Sequence, residues 1–227
     1  MATNKAGSPT YSYTVAPHLV AEFDVPIADF AAAHRQYNYF IVGGFVFTNR
    51  KQKQHPPASA SSVAKKQPQQ PLMLIMQRSL SDSFGGYWDF PGGSLEPTDQ
   101  TILDGVAREV FEETGFHVSK IRDLVRLDHW VMESKSRGIM SNAKYTFLID
   151  VHEAADTEDW EEKVRLDPAE HMKWAWVTRE EIEESAKMRR ERRSEDVPYL
   201  FVGVQGDTTA EAWKIYSKVI KGSETTI

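Results

Sequence analysis

The sequence predicts an α/β fold of the α+β kind, a mixed sheet carrying helices, and three observations lead there. Residues 39–47 are dense in aromatic and β-branched side chains and read as a buried central strand. Residues 72–78 repeat that signal after a polar stretch, so the pair reads as a hairpin with an overgrown tip. Further on, Ile102, Leu103, Val106, Ala107 and Val110 share one arc at 100° per residue, which predicts an amphipathic helix packed on the sheet.

The elements follow in chain order. Residues 1–12 are small and polar and are expected to fray, within an N-terminal extension, residues 1–35, that is partly flexible. Residues 50–71 turn to Lys, Gln, Pro, Ser and Ala, a solvent-facing insertion in the hairpin. In residues 83–93, glycine pairs flank an aromatic strand that Pro91 punctuates. The helix is expected to start at Thr98 or Asp99 and to end at Thr114, with Gly115 as a left-handed cap. Residues 120–132 and 144–151 alternate as two strands, joined through the polar residues 134–142. An acidic loop, residues 153–162, precedes the short strand around Trp174 and Trp176. Thr178 can cap a helix whose first turn holds Glu180 and Glu181. The basic run from Arg189 to Arg193 suits that helix's end, and a last helix is expected over residues 208–221, in a C-terminal extension, residues 186–227, packed on the same domain.

With 227 residues and 41% apolar content, the chain suits one generous domain. Its apolar runs are far shorter than the roughly 20 residues that cross a bilayer. No secretory signal opens it, so it is expected to begin near Met1 and to stay in the cytoplasm. The absence of cysteine excludes disulfides, thiolate zinc sites and cysteine nucleophiles, leaving oxygen or imidazole for any metal. A net charge of −6 argues against a general grip on nucleic acid.

Chemistry concentrates on the helix. Glu109, Glu112 and Glu113 lie together beside the apolar arc, and like charges at these spacings destabilise a helix by a few tenths of a kcal/mol per pair, roughly. A divalent cation would repay that cost, because magnesium takes carboxylate oxygens and keeps positions open for water and substrate phosphate. Arg108, four residues before Glu112, can hold a carboxylate in place. A solvated acidic face is the competing reading.

The flanks favour the metal. Gly92-Gly93 followed by Arg108-Glu109-Val110-Phe111-Glu112-Glu113-Thr114-Gly115-Phe116 resembles the box of the Nudix hydrolase family, whose second half it matches at every fixed position. The first half departs from it. The residue six past Gly93 is Asp99 instead of glutamate, and eight residues instead of seven separate it from Arg108, so Asp99 or Glu96 stands in, unless Asp99 is only a helix cap. The resemblance covers residues 36–185 and implies an α/β/α sandwich. It also implies that Glu109, Glu112, Glu113 and the carbonyl of Gly92 hold Mg2+ or Mn2+. Glu170, six residues before Trp176, matches a family acid that ligates metal or activates water; a plain loop glutamate is the alternative.

The implied activity is metal-dependent hydrolysis of a phosphate anhydride, with Arg108, Glu112, Glu113 and Glu170 as the catalytic set and a small diphosphate as substrate. The overall layout is similar to a fungal branch of the family. Trp130 stands where the ADP-sugar group has proline, and the tyrosine of dinucleoside polyphosphate hydrolases is missing. Two other classes compete: an inert Nudix-fold binding module, and a biosynthetic isomerase, cyclase or prenyl diphosphate hydrolase. His171 alone reads as structural, and Trp88, Trp174 and Trp176 as core. Arg78, Arg126 and Lys144 can meet phosphate oxygens or simply face water. The basic run at Arg189 can bind an acidic surface, as in a homodimer, or solvate a helix end.

Overall fold

A computed structural model describes residues 11–49, 70–156, 159–191 and 197–224. In chain order the elements are β1 (Thr14–Val15), α1 (Pro17–Phe23), α2 (Ile27–Ala33), β2 (Tyr39–Thr48), β3 (Leu72–Arg78), β4 (Trp88–Asp89) and α3 (Ile102–Thr114). Then come β5 (Val118–Ser134), β6 (Gly138–Val151), α4 (Glu153–Asp156), β7 (His171–Val177), α5 (Arg179–Arg190) and α6 (Gln205–Glu224).

The seven strands form one sheet in the order β1-β5-β6-β2-β3-β4, with β7 also paired to β3. It is mixed: β2 runs parallel to β6 and β1 parallel to β5, while β2–β3, β3–β4, β3–β7 and β5–β6 are antiparallel. Alternation along β2 and β3 sorts the core into two layers. Val42, Val46 and Leu74 face α1, α2 and α3, whereas Phe45, Met73 and Ile75 face α5 and α6. The result is helix, sheet, helix.

One detail positions the site. β2 pairs with β3 only at Phe47↔Met73 and Thr48↔Leu72, and then diverges. The 91–95 segment fills the gap, accepting from Val42 and Gly44 N–H at Gly93 and Pro91 and donating from Leu95 to Phe40. The hairpin expected from the sequence is therefore present but splayed, and its tip, residues 50–69, lies outside the described residues.

Several boundaries differ from expectation. β5 and β6 pair as far as Ser134↔Gly138, so the expected connection over residues 134–142 shrinks to a turn over residues 135–137, closed by Gly138, whose φ of 71° suits glycine. α6 starts at Gln205, before the expected 208. Residues 14–33, read as an extension, supply Leu19, Phe23 and Phe30 to the core, each at most 3% exposed. Phe23 meets Tyr145 and Phe147 edge-on. Among the described residues, no helix is long and apolar enough to cross a membrane.

Candidate metal centre

The site is built around α3. Its start is set by a reciprocal capping box: Thr101 Oγ1 accepts from Asp104 N–H and Asp104 Oδ2 accepts from Thr101 N–H. The helix therefore begins three or four residues later than expected, and Asp99 is not its cap. Asp99 instead receives a bidentate pair from Arg108, Nε to Oδ1 and Nη2 to Oδ2, both at 3.0 Å. Glu96 stays half exposed, 4.0 Å from the guanidinium. The acid that answers Arg108 is thus Asp99, a side chain one methylene shorter than glutamate on a segment one residue longer.

Arg108 spends its remaining donors within the protein. Nη1 reaches Glu109 Oε1 at 2.8 Å and Glu112 Oε2 at 2.9 Å, and Nη2 reaches the Ser94 carbonyl at 2.8 Å. All five N–H donors are engaged, and the side chain is 7% exposed. Arg108 is a clamp that orients carboxylates.

The helix ends at Gly115, left-handed at φ 74°, directly after Glu113 and Thr114. Glu113 Oε2 accepts the Gly92 N–H at 2.7 Å, which ties the last turn of α3 to the 91–95 segment. Gly92 must be glycine here: a Cβ would stand 2.2 Å from the Val42 carbonyl oxygen and 2.7 Å from Gly43 Cα. Across the sheet, the turn before β7 is closed by Asp167, whose carbonyl accepts from both Glu170 and His171 and whose carboxylate accepts from Ala169 N–H. A register shift between Gln77 and Arg78, where β3 meets β7, accompanies the arrival of His171.

These elements converge. One oxygen each of Glu113 and Glu170 and one ring nitrogen of His171 lie within 4.8 Å of one another, the set of this kind among the described residues. His171 Nδ1 is 3.7 Å from Glu113 Oε1. Glu113 and His171 are buried, whereas Glu170 is exposed. The three acids read together from the sequence are therefore divided. Glu113 faces Glu170 and His171, while Glu109 and Glu112 are drawn toward Arg108, which meets them from one position before and one turn away.

The two halves are electrostatically coupled. Burial pushes the Glu109 carboxyl up to about 7, against the pull of Arg108 and with the help of Glu112 and Glu170. Burial also pushes Glu113 well above the usual carboxylate range, opposed by the Gly92 N–H and reinforced by Glu109, Asp89 and Glu170. His171 is pushed down by burial and then by the charge of Arg78. Both α3 glutamates thus feel Glu170.

A second charged group borders the cluster. Asp89 is buried and meets Lys144 Nζ at 3.5 Å, Arg78 Nη1 at 3.4 Å and Gln205 Nε2 at 3.1 Å. Lys144 Nζ also sits 4.2 Å over the Phe90 ring. Arg78 and Lys144 are therefore partly or fully buried charges facing the site's border. Arg126 is instead taken by Asp128, at 2.6 Å. Asp89 and Gln205 were missed in the sequence because they are distant from the box and from each other, and no spacing signals them. Trp88 is core as expected, while Trp176 donates its indole N–H to the Glu161 carbonyl at 2.9 Å. At the end of α5, Arg189 donates to the Phe201 carbonyl at 2.8 Å.

Comparison with known proteins adds a family match: the model of the NUDIX domain matches residues 55–197, more than half of the chain. Phosphatase NudJ of Escherichia coli is 24% identical over 116 residues, covering 51% of this chain and 66% of the relative. The protein of the same name from Shigella flexneri matches to the same extent. The chain thus spans just under two thirds of the length of these curated relatives. Among solved structures, a MutT protein from Methanosarcina mazei is 22% identical, covering 70% of this chain and 95% of that one at a TM-score of 0.42. An ADP-ribose pyrophosphatase from Streptococcus suis is 15% identical, covering 78% and 91% at 0.43.

Proposed function

This chain belongs to the Nudix family, and on that premise we propose that it hydrolyses a small phosphate anhydride, a nucleoside diphosphate linked to another moiety, with Mg2+ or Mn2+. The observation that carries this reading is the convergence of Glu113, Glu170 and His171 within 4.8 Å. The residues fit a divalent cation. Two of the three are buried, Glu113 resists ionisation there, and His171 Nδ1 has no hydrogen-bond partner, so the pocket holds more ligand capacity than the protein itself satisfies.

Glu109, Glu112 and Glu113, with the carbonyl of Gly92, would hold the cation from the α3 side. When bound, it would offset phosphate charge and acidify a water. Arg108 keeps Glu109 and Glu112 oriented through the hydrogen bonds it donates to them and to Asp99. Glu170, the exposed acid of the cluster, would take the proton of the attacking water. Arg78 and Lys144, gathered at Asp89 beside the cluster, are candidates for meeting the substrate's phosphates. The intact carboxylates weigh against an inert binding module.

The test is a substrate panel. The full chain, freed of metal, is incubated with nucleotide, sugar, inositol and prenyl diphosphates with and without Mg2+, and phosphate products are quantified. Release from a nucleoside diphosphate derivative that a chelator abolishes supports the reading. Silence across the panel, or release only from prenyl diphosphates, overturns it.

A further inference from the structure

We infer that His171 is a nitrogen ligand of the divalent cation, so that the site selects Mn2+ or Co2+ over Mg2+. The inference takes the location of the site from the proposed function and adds a ligand that the α3 glutamates do not supply.

The imidazole lies on the first residue of β7 and its side chain is 1% exposed. A histidine so deeply buried ordinarily satisfies its ring nitrogens with carbonyls, carboxylates or hydroxyls. Here Nδ1 has no hydrogen-bond partner, although a carboxylate faces it. The separation from Glu113 Oε1 is 3.7 Å, too long for a hydrogen bond. It is close to the spacing of two donor atoms on one ion, about 3.0 to 3.5 Å for bonds of roughly 2.1 Å.

The surroundings keep the pair apart and aligned. Glu113 is held by the Gly92 N–H on its other oxygen, Oε2, which leaves Oε1 toward His171. On the histidine side, the backbone bond to the Asp167 carbonyl at 2.8 Å and the β3–β7 register shift fix where the ring enters. Glu170, next in the chain, brings an oxygen to the same point from the solvent side. Two oxygens and one nitrogen thus face one position from two unconnected elements.

Ligand chemistry then sets the preference. Carboxylates alone suit magnesium, calcium and manganese, whereas imidazole favours later transition metals, and affinity rises from Mn2+ through Co2+ to Ni2+. A His171 ligand therefore makes Mg2+ the weaker occupant.

The experiment needs no substrate. The metal-stripped full chain is loaded with one equivalent of Mn2+, and pulsed electron paramagnetic resonance reads hyperfine coupling to nitrogen, in wild type and in protein carrying 15N-labelled histidine. Wild type is expected to show a histidine nitrogen coupled to Mn2+, switching to the 15N pattern on labelling. His171→Gln is expected to lose that coupling and to bind Mn2+ about tenfold more weakly, with the Mg2+ constant changed less. Absence of coupling in bound wild type, failure of wild type to bind Mn2+, or coupling that survives in His171→Gln would each overturn the assignment. Should the variant fail to fold, the labelled wild type alone decides. Chelator-sensitive hydrolysis without nitrogen coupling leaves the proposed function standing and removes only His171; coupling without hydrolysis does the reverse.

Discussion

Replacing Arg108 with methionine removes the guanidinium while keeping a side chain of similar reach and good helix propensity. Five hydrogen bonds are lost, and the two most buried acids around it, Asp99 and Glu109, with side chains 2% and 10% exposed, lose their cation. Removing one partner of a buried ion pair costs about 3 to 5 kcal/mol, because the desolvated charge left behind has no compensation. Against a total of roughly 5 to 15 kcal/mol for a domain, that loss is large. Urea unfolding, followed by tryptophan fluorescence and far-ultraviolet circular dichroism together, measures it and tests whether the transition is two-state. Asp99→Asn keeps the shape of its side chain and removes the charge, so the double variant is expected to be less destabilised than the sum of the singles by about 1 kcal/mol or more. A loss below about 1 kcal/mol for Arg108→Met, with additive behaviour in the double variant, would refute the reasoning that this guanidinium holds the acids in place.

Three further outcomes follow from the geometry. The first concerns pH: because burial raises the folded Glu109 carboxyl from 4.5 to about 7, the unfolded chain ionises first. Glu109's contribution to stability in chelator should therefore fall as pH rises from 4.5 to 7, by roughly 3 kcal/mol, and change no further above. Thermal melts of wild type and Glu109→Gln across that range check it, and an identical slope in both would remove Glu109 as the cause. In the second, Gly92→Ala drives a Cβ to 2.2 Å from the Val42 carbonyl and displaces the N–H that Glu113 accepts, so a loss of about 2 kcal/mol is expected in urea unfolding. In the third, Glu112→Gln, at a side chain 52% exposed, should change stability by less than about 0.5 kcal/mol while lowering turnover at least about a hundredfold. A normal rate would take Glu112 out of the ligand set.

Local signals made part of this legible. The buried arc of α3 and the Gly115 cap follow from periodicity and from the glycine that ends it, and Ile102, Val106 and Val110 are fully buried as the arc requires. The Thr178 cap was equally readable, and the structure makes it a capping box with Glu181, three residues on. Tertiary pairings were not. Asp99 could be read either as the stand-in acid or as a helix cap, because its own neighbourhood allows both, and only the folded position of Arg108 decides between them. His171 and Glu113 meet across the sheet from separate elements, and no spacing rule links them. The facing ends of β5 and β6, from residue 134 to residue 142, were read as a loop since residues there, such as Ile139 at 70% exposure, stand in solvent and need no alternation. Residues 14–33 escaped for the opposite reason: two short helices of seven residues each bury a few large rings without building a long periodic signal.

The most direct measurement compares phosphate release by wild type and Glu113→Gln at saturating Mn2+ on whichever nucleoside diphosphate derivative the panel identifies, with circular dichroism confirming that the fold is kept. Glu113 joins the Gly92 N–H on one side to His171 and Glu170 on the other, so loss of its charge should slow turnover by roughly a thousandfold. A folded Glu113→Gln protein turning over within about threefold of wild type would contradict a catalytic cation held at this point.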